Sequence, residues 1–289
     1  MYTIQSDQII AGFEAKGAEL TSLKQLHLPL EYIWQGDPAF WGKHSPVLFP
    51  IVGGLKANVY RYEGNTYSLG RHGFARDREF IVEKQQKDSI TFLLRSDEIS
   101  RKVYPFEFEF RIRYAVFEAT LMITYDIVNT SNFQAMYVSV GAHPAFNVPL
   151  EKGLNYQDYF LEFEEEEDAP RYLLTEDGLI KENPVPFLQG NKLPLDKSLF
   201  RQDALVFKNL QSSTIRLATE KSKHGLDFSF DEFPFFGIWA AKNADFVCLE
   251  PWCGIADHEN HDQNLINKEG INTLPPNEAF TRNWSVTVF

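Results

Sequence analysis

The chain is poor in cysteine, in helical periodicity, in positive charge and in long apolar runs. Two cysteines, Cys248 and Cys253, stand among 289 residues. That is too few for a disulfide framework, and their spacing lacks the further ligands of a zinc site. Both read as free thiols in a reducing cytoplasm. No apolar run nears the roughly 18 residues that a membrane span needs. The start of the chain, Met1-Tyr2-Thr3-Ile4-Gln5-Ser6-Asp7, has neither the basic region nor the apolar core of a secretory signal. Lys and Arg number 28 against 40 Asp and Glu, for a net charge of −12. Such a surface repels phosphate backbones and anionic lipid, which argues against nucleic-acid and membrane partners. There is no glycine-rich phosphate loop, HExxH, GxSxG or paired CxxC. Neither a cofactor nor a metal is therefore expected.

What the chain has in quantity is aromatic, strand-forming sequence, with 25 Phe and 12 Tyr. Phe106-Glu107-Phe108-Glu109-Phe110-Arg111-Ile112-Arg113-Tyr114 alternates apolar with charged residues, so one face must be buried and the other wet. Shorter runs over 80–83, 90–94, 121–128, 137–140, 159–163, 205–207, 215–217 and 226–230 repeat the theme. Tyr60–Glu63 and Thr66–Leu69, around Gly64-Asn65, predict a hairpin with a two-residue turn. The last residues, Trp284 to Phe289, form a further alternating strand, expected to close a sheet edge. Only Ser96 to Lys102 offers a turn or two of helix, which Pro105 cuts short. Residues 164–200 are the least regular, and the run Glu164-Glu165-Glu166-Glu167-Asp168 is expected to be a solvated loop. No linker or composition break divides the chain. The expectation is all-β: a single large antiparallel β-sandwich over residues 1–289.

Two segments place a proton-transfer side chain directly before a proline at the end of an apolar run: Gly141-Ala142-His143-Pro144-Ala145-Phe146-Asn147 and Cys248-Leu249-Glu250-Pro251-Trp252. Proline biases the residue before it toward extended geometry, so a stiff backbone aims each side chain. Small residues before His143 leave room for a close ligand. With a carboxylate nearby its imidazole would stay protonated at neutral pH and serve as a general acid. Glu250 ends Phe246-Val247-Cys248-Leu249, a run too apolar for an edge strand. Partial desolvation there would raise its pKa and make it a better base. A core histidine and a structural ion pair are the plainer readings of the same two residues. Arg71-His72-Gly73-Phe74-Ala75-Arg76-Asp77 follows the hairpin and offers donors for hydroxyls or an anion, and Lys43 and Lys56 could enlarge that patch. Trp41, Trp239 and Trp252 could supply a flat apolar wall. Asp203 precedes a strand and is uninformative by itself.

Taken together, Ser45 to Gly53, Arg71 to Arg76, Gly141 to Asn147 and Cys248 to Trp252, in this order, resemble the aldose 1-epimerase (mutarotase) family, and within it the LacX-like branch. The resemblance covers nearly the whole chain and implies a β-sandwich of the galactose-mutarotase type with a sugar as partner; Arg71, Arg76 and Lys56 suit a sugar phosphate as readily as a free sugar. It implies Glu250 as base, His143 as acid, and His72 and Asp203 as sugar contacts, with no cofactor. Two departures concern the identity of the sugar. Gly53-Gly54-Leu55-Lys56-Ala57-Asn58 stands where galactose mutarotases carry an arginine, and Pro251-Trp252 stands where they often have Thr-Gln. A carbohydrate-binding module without turnover is the alternative on the same fold. A glycosidase would need two facing carboxylates.

Overall fold

Strict two-residue alternation builds the larger of two sheets. In Phe108–Phe117 every second residue is buried, and Thr120–Asn129 matches it in antiparallel register, Ile123 opposite Tyr114 and Ile127 opposite Phe110. The structure is a computed structural model that describes residues 1–289. Its nine-stranded antiparallel sheet runs, in spatial order, Val185–Pro194, Tyr159–Arg171, Thr214–Thr219, Leu226–Ser229, Ala279–Val288, Thr120–Asn129, Phe108–Phe117, Ser89–Arg95 and Ile81–Gln85. A second sheet orders Leu205–Lys208, Phe235–Trp239, Phe246–Cys253, Val140–Ala142 and Val47–Leu48, with Ala145–Asn147 also pairing to Phe246–Cys253. Between the two sheets lies one contiguous apolar cluster of 72 residues. Phe228 of the large sheet meets Phe146 and Phe236 of the smaller one with ring centroids 5.9 and 6.1 Å apart. Phe49, in the loop after Val47–Leu48, stacks on Phe110 at 4.5 Å. Apolar area removed from water in this way, at about 25 cal/mol per Å², is what holds the layers together.

The sandwich is as the sequence predicts, with local differences. The carboxyl-terminal strand is not at an edge: Ala279–Val288 sits between Leu226–Ser229 and Thr120–Asn129. Trp284, Val286 and Val288 face the core while both backbone edges are paired, Val286 lying opposite Leu121 on one side and Phe228 on the other. The acidic run is not a loop either. It lies within the strand Tyr159–Arg171, bent by a register shift between Glu162 and Glu167. Glu167 turns inward and accepts hydrogen bonds from the amides of Ser212 (2.8 Å) and Gln211 (3.1 Å). Two backbone donors satisfy a buried carboxylate that sequence alone would leave in water. The hairpin turn is Glu63-Gly64, one residue earlier than expected, because both residues adopt the positive φ (47° and 78°) of a two-residue turn. The one α-helix, Glu98–Arg101, lies where the sequence placed it, capped by Asp97. No helix is long and apolar enough to cross a membrane.

Candidate functional site

Phe246–Cys253 is buried along its whole length, as its apolar run predicts. Side chains alternate across a strand. Val247, Leu249 and Cys253 share one face and Cys248, Glu250 and Trp252 the other, where Cys248 still packs in the main apolar cluster and Trp252 in a smaller one. On one side this strand pairs with Val140–Ala142 and then Ala145–Asn147, with Gly141 opposite Trp252 and Ala145 opposite Cys248. The register is the same before and after Pro144, so His143 lies directly across from Glu250. On the other side Glu250 faces Gly237. The two residues before proline, distant in sequence, are thus cross-strand neighbours. His143 Nε2 and Glu250 Oε2 are 3.3 Å apart, with the residues 8% and 2% exposed.

Burial sets the charge state of this pair. It pulls the His143 imidazole down to about 3, helped by the nearby Arg76 guanidinium. It pushes the Glu250 carboxyl well up, with the Asp203 carboxylate adding to the effect. Both shifts disfavour ions. The expectation that His143 is held as an imidazolium is therefore corrected. In this pair the proton rests on the carboxyl group and the ring is neutral. The ion pair holds the same number of protons and differs only in where one of them sits.

Around the pair is a cavity of about 330 Å³, at the small end of the roughly 300–1,000 Å³ typical of small-molecule sites. Trp41 stacks on the His143 ring at 5.0 Å and 27°, and Trp239 meets it edge-on at 5.6 Å, so the imidazole cannot swing. Trp252 lines the same cavity, between two strand glycines. A Cβ on Gly141 would come within 2.7 Å of the indole, and one on Gly237 within 2.4 Å. The small residue before His143 thus makes room for Trp252 and not, as expected, for a ligand. The Trp252 Nε1 is buried without a hydrogen-bond partner, yet its N–H dipole draws the Glu250 carboxyl down against burial.

Two residues of the wall sit in the left-handed backbone region, His72 at φ 66° and Asp203 at φ 80°, a cost usually retained where function needs it. The Gly53 amide donates to His72 Nδ1 at 3.1 Å. Burial holds the His72 ring neutral, so its one proton is on Nε2 and available as a donor. Arg71 lies 3.7 Å from the Asp203 carboxylate and donates to the Asp177 carbonyl at 3.2 Å. Arg76 donates to the Arg71 carbonyl at 2.9 Å, holding that turn.

Of the residues singled out in the sequence, the structure brings His143, Glu250, His72, Arg71, Arg76, Asp203 and Trp252 to one cavity, together with Trp41 and Trp239. Lys56 is not among them, which corrects its assignment. Its ammonium donates to the His261 carbonyl (3.3 Å), because the turn before the hairpin is drawn toward Asp257. Lys43 is likewise occupied, by Asp77 at 3.4 Å. Sequence reasoning missed the loop carrying Leu174, Gly178 and Ile180, which closes one wall. Gly178 adopts a left-handed φ of 74°, which L side chains rarely take, and a Cβ there would also displace the Arg71 guanidinium, 1.7 Å away. The dipeptide Asp177-Gly178 was the available turn signal.

Comparison with known proteins shows which family the chain belongs to. Protein LacX, chromosomal, of Lactococcus lactis is 34% identical over 295 residues, covering 99% of this chain and 98% of that protein. A galactose mutarotase related enzyme from Lactobacillus acidophilus is 39% identical with a TM-score of 0.96, covering 100% of this chain and 97% of its own. A galactose mutarotase-like protein from Lactobacillus casei is 29% identical with a TM-score of 0.94, covering both chains completely. The family profile described as aldose 1-epimerase matches residues 1–283, and the chain belongs to that family.

Proposed function

We propose that this chain is a mutarotase that interconverts the α and β anomers of an aldohexose, with Glu250 as base and His143 as acid. The observation that carries the reading is the 3.3 Å approach of His143 Nε2 to Glu250 Oε2 beside a cavity walled by indoles and hydrogen-bonding groups. In the ion-pair form, Glu250 takes the proton from the anomeric hydroxyl while His143 gives its proton to the ring oxygen. The ring C–O bond breaks, leaving an aldehyde and a hydroxyl. The pair is now a neutral carboxylic acid and a neutral imidazole, the form that burial favours. Rotation about the C1–C2 bond and closure from the other face return each proton, and the opposite anomer forms. One proton thus travels between the two residues through the sugar.

The remaining groups orient the ring. Trp41 and Trp239 offer flat apolar faces, and His72 offers a fixed N–H. Arg71 and Asp203 offer a donor and an acceptor for hydroxyls away from the anomeric carbon. Because Asp203 offsets the charge of Arg71, the wall suits a neutral aldose better than a dianionic phosphate ester. The activity would reside in one unit over residues 1–289, in the cytoplasm, where its two buried thiols stay free.

Polarimetry on freshly dissolved aldoses and their 6-phosphates tests this. Anomer interconversion of neutral hexoses should be accelerated, with kcat/KM insensitive to salt. Turnover of phosphate esters alone, falling as salt rises, would overturn the neutral-substrate reading. Calorimetric binding without acceleration would select the carbohydrate-binding alternative.

The Trp252 dipole adds a pH prediction. Trp252→Phe removes the N–H that favours the Glu250 carboxylate, so the base pKa rises further. The pair carries one proton across its active range and loses it where Glu250 ionises, so the alkaline limb of the kcat/KM profile should move up by about one pH unit, or about 1.4 kcal/mol. The acidic limb, where the His143 ring takes up a second proton, should stay in place. An unmoved alkaline limb would show that the indole N–H does not act on Glu250.

A further inference from the structure

We propose that His143, Cys248 and Glu250 form a binding site for a thiophilic divalent cation of the Zn²⁺ class, and that filling it shuts off the sugar chemistry. Cys248 and Glu250 are two residues apart on one strand and so share a face, and His143 is the cross-strand partner of Glu250. A ring nitrogen, the thiol sulfur and a carboxylate oxygen lie within 4.8 Å of one another, and all three residues are buried. Imidazole, thiolate and carboxylate are the three ligand types that zinc takes, at about 2.0–2.3 Å. On a tetrahedron of that size the ligand atoms sit about 3.3–3.8 Å apart. The Nε2–Oε2 distance of 3.3 Å already matches one edge, and small side-chain shifts close the other two.

The donor set also selects the ion. A thiolate beside an imidazole prefers Zn²⁺ or Cd²⁺ to Mg²⁺ or Ca²⁺, which prefer oxygen. Thiolate and carboxylate together neutralise a divalent ion, which suits a buried place. Binding expels two protons to solvent, one from the thiol and one from the acid/base pair. Three protein ligands leave a fourth position open toward the cavity. A cation held there occupies both the base and the acid, so metal and sugar turnover exclude each other. Cys248 has no part in the proposed proton transfers. Cys253, the other thiol, points to the opposite face and weakly contacts the Glu232 carbonyl at 3.7 Å.

The test uses Cd²⁺, whose bond to thiolate gives an ultraviolet charge-transfer band. The wild-type protein and Cys253→Ser should bind one Cd²⁺ per chain with that band. Cys248→Ser and Cys248→Ala should lose the band and bind at least about tenfold more weakly, since loss of even an outer-sphere partner can cost that much. His143→Asn should keep the band and lose affinity. A band that survives in Cys248→Ser, or its absence from the wild type, overturns the site. The inhibition arm rests on the mutarotase reading: Zn²⁺ should stop anomer interconversion, EDTA should restore it, and Cys248→Ser should be at least tenfold less sensitive. Equal sensitivity of Cys248→Ser overturns inhibition through this site. The Cd²⁺ band decides the site itself even if no sugar is turned over.

Discussion

Glu250→Gln and His143→Asn are each expected to slow anomer interconversion by about 10²–10⁴-fold, the usual contribution of one positioned acid or base. Polarimetry at saturating sugar is the measurement. A turnover number close to the wild-type value in either variant would refute the assignment. The losses should not add. Proton removal at one oxygen and delivery at the other belong to one step, so the double variant should be about as slow as either single one. Two independent losses that multiply would mean that the residues do not act as a pair.

The fold should survive both changes, and the reason lies in the same burial that sets the pair's protonation. The Glu250 carboxyl is held well above its ordinary value of 4.5, so the folded state binds its proton more tightly than the unfolded chain does. The stability this group contributes is fully present below 4.5 and declines as pH rises toward the folded value. Glutamine, uncharged and the same shape, removes that decline. The His143 imidazole is held down at about 3 against an ordinary 6.5. Its contribution is therefore present above 6.5 and is lost as pH falls toward 3. Asparagine removes that loss. At neutral pH neither variant should be much less stable than the wild type, which separates lost chemistry from lost structure.

Much of this site was legible because local rules suffice for it. A proline after His143 and after Glu250 stiffens both backbones, and the apolar run before Glu250 excludes an edge strand. What sequence could not supply was register. That His143 faces Glu250 depends on Val140–Ala142 and Ala145–Asn147 keeping one alignment across Pro144, a property of pairing and not of either segment. The errors have the same origin. Glu167 looked solvated because the amides of Gln211 and Ser212 that bind it lie far along the chain. Lys56 looked like part of a basic patch because its neighbours in sequence are near His72, whereas its own amide and ammonium are drawn to Asp257 and His261. The protonation of His143 was misjudged because burial of the ring outweighs the attraction that a nearby carboxylate offers an imidazolium.

Lys268→Met is expected to destabilise the protein by about 3–5 kcal/mol, the cost of breaking a buried ion pair. The Lys268 ammonium lies 2.8 Å from Asp257, and the two side chains are 1% and 0% exposed. Burial pushes the ammonium pKa down and Asp257 works against it, so the pair survives on direct contact. Methionine keeps much of the volume but removes the ammonium from the Asp257 carboxylate, leaving it the Lys56 amide at 2.9 Å and the His261 ring at 3.3 Å. The midpoint of urea unfolding should fall with the slope unchanged. Asp257→Asn added to Lys268→Met should recover part of the loss, since the amide oxygen can still accept from the Lys56 amide, which now donates at 2.9 Å. The effect should also reach the cavity. Asp257 ties the Gly53–Lys56 turn to its own strand end, its amide donating to the Gly54 carbonyl at 2.9 Å. Gly53 in turn fixes the His72 ring. Where the variant is still folded, KM should rise several-fold while kcat changes little, because His72 holds the sugar equally before and during ring opening. An unchanged urea midpoint would show that Asp257 needs no ammonium. A fall in kcat at constant KM would place this buried pair on the path of the proton and not behind the sugar-binding wall.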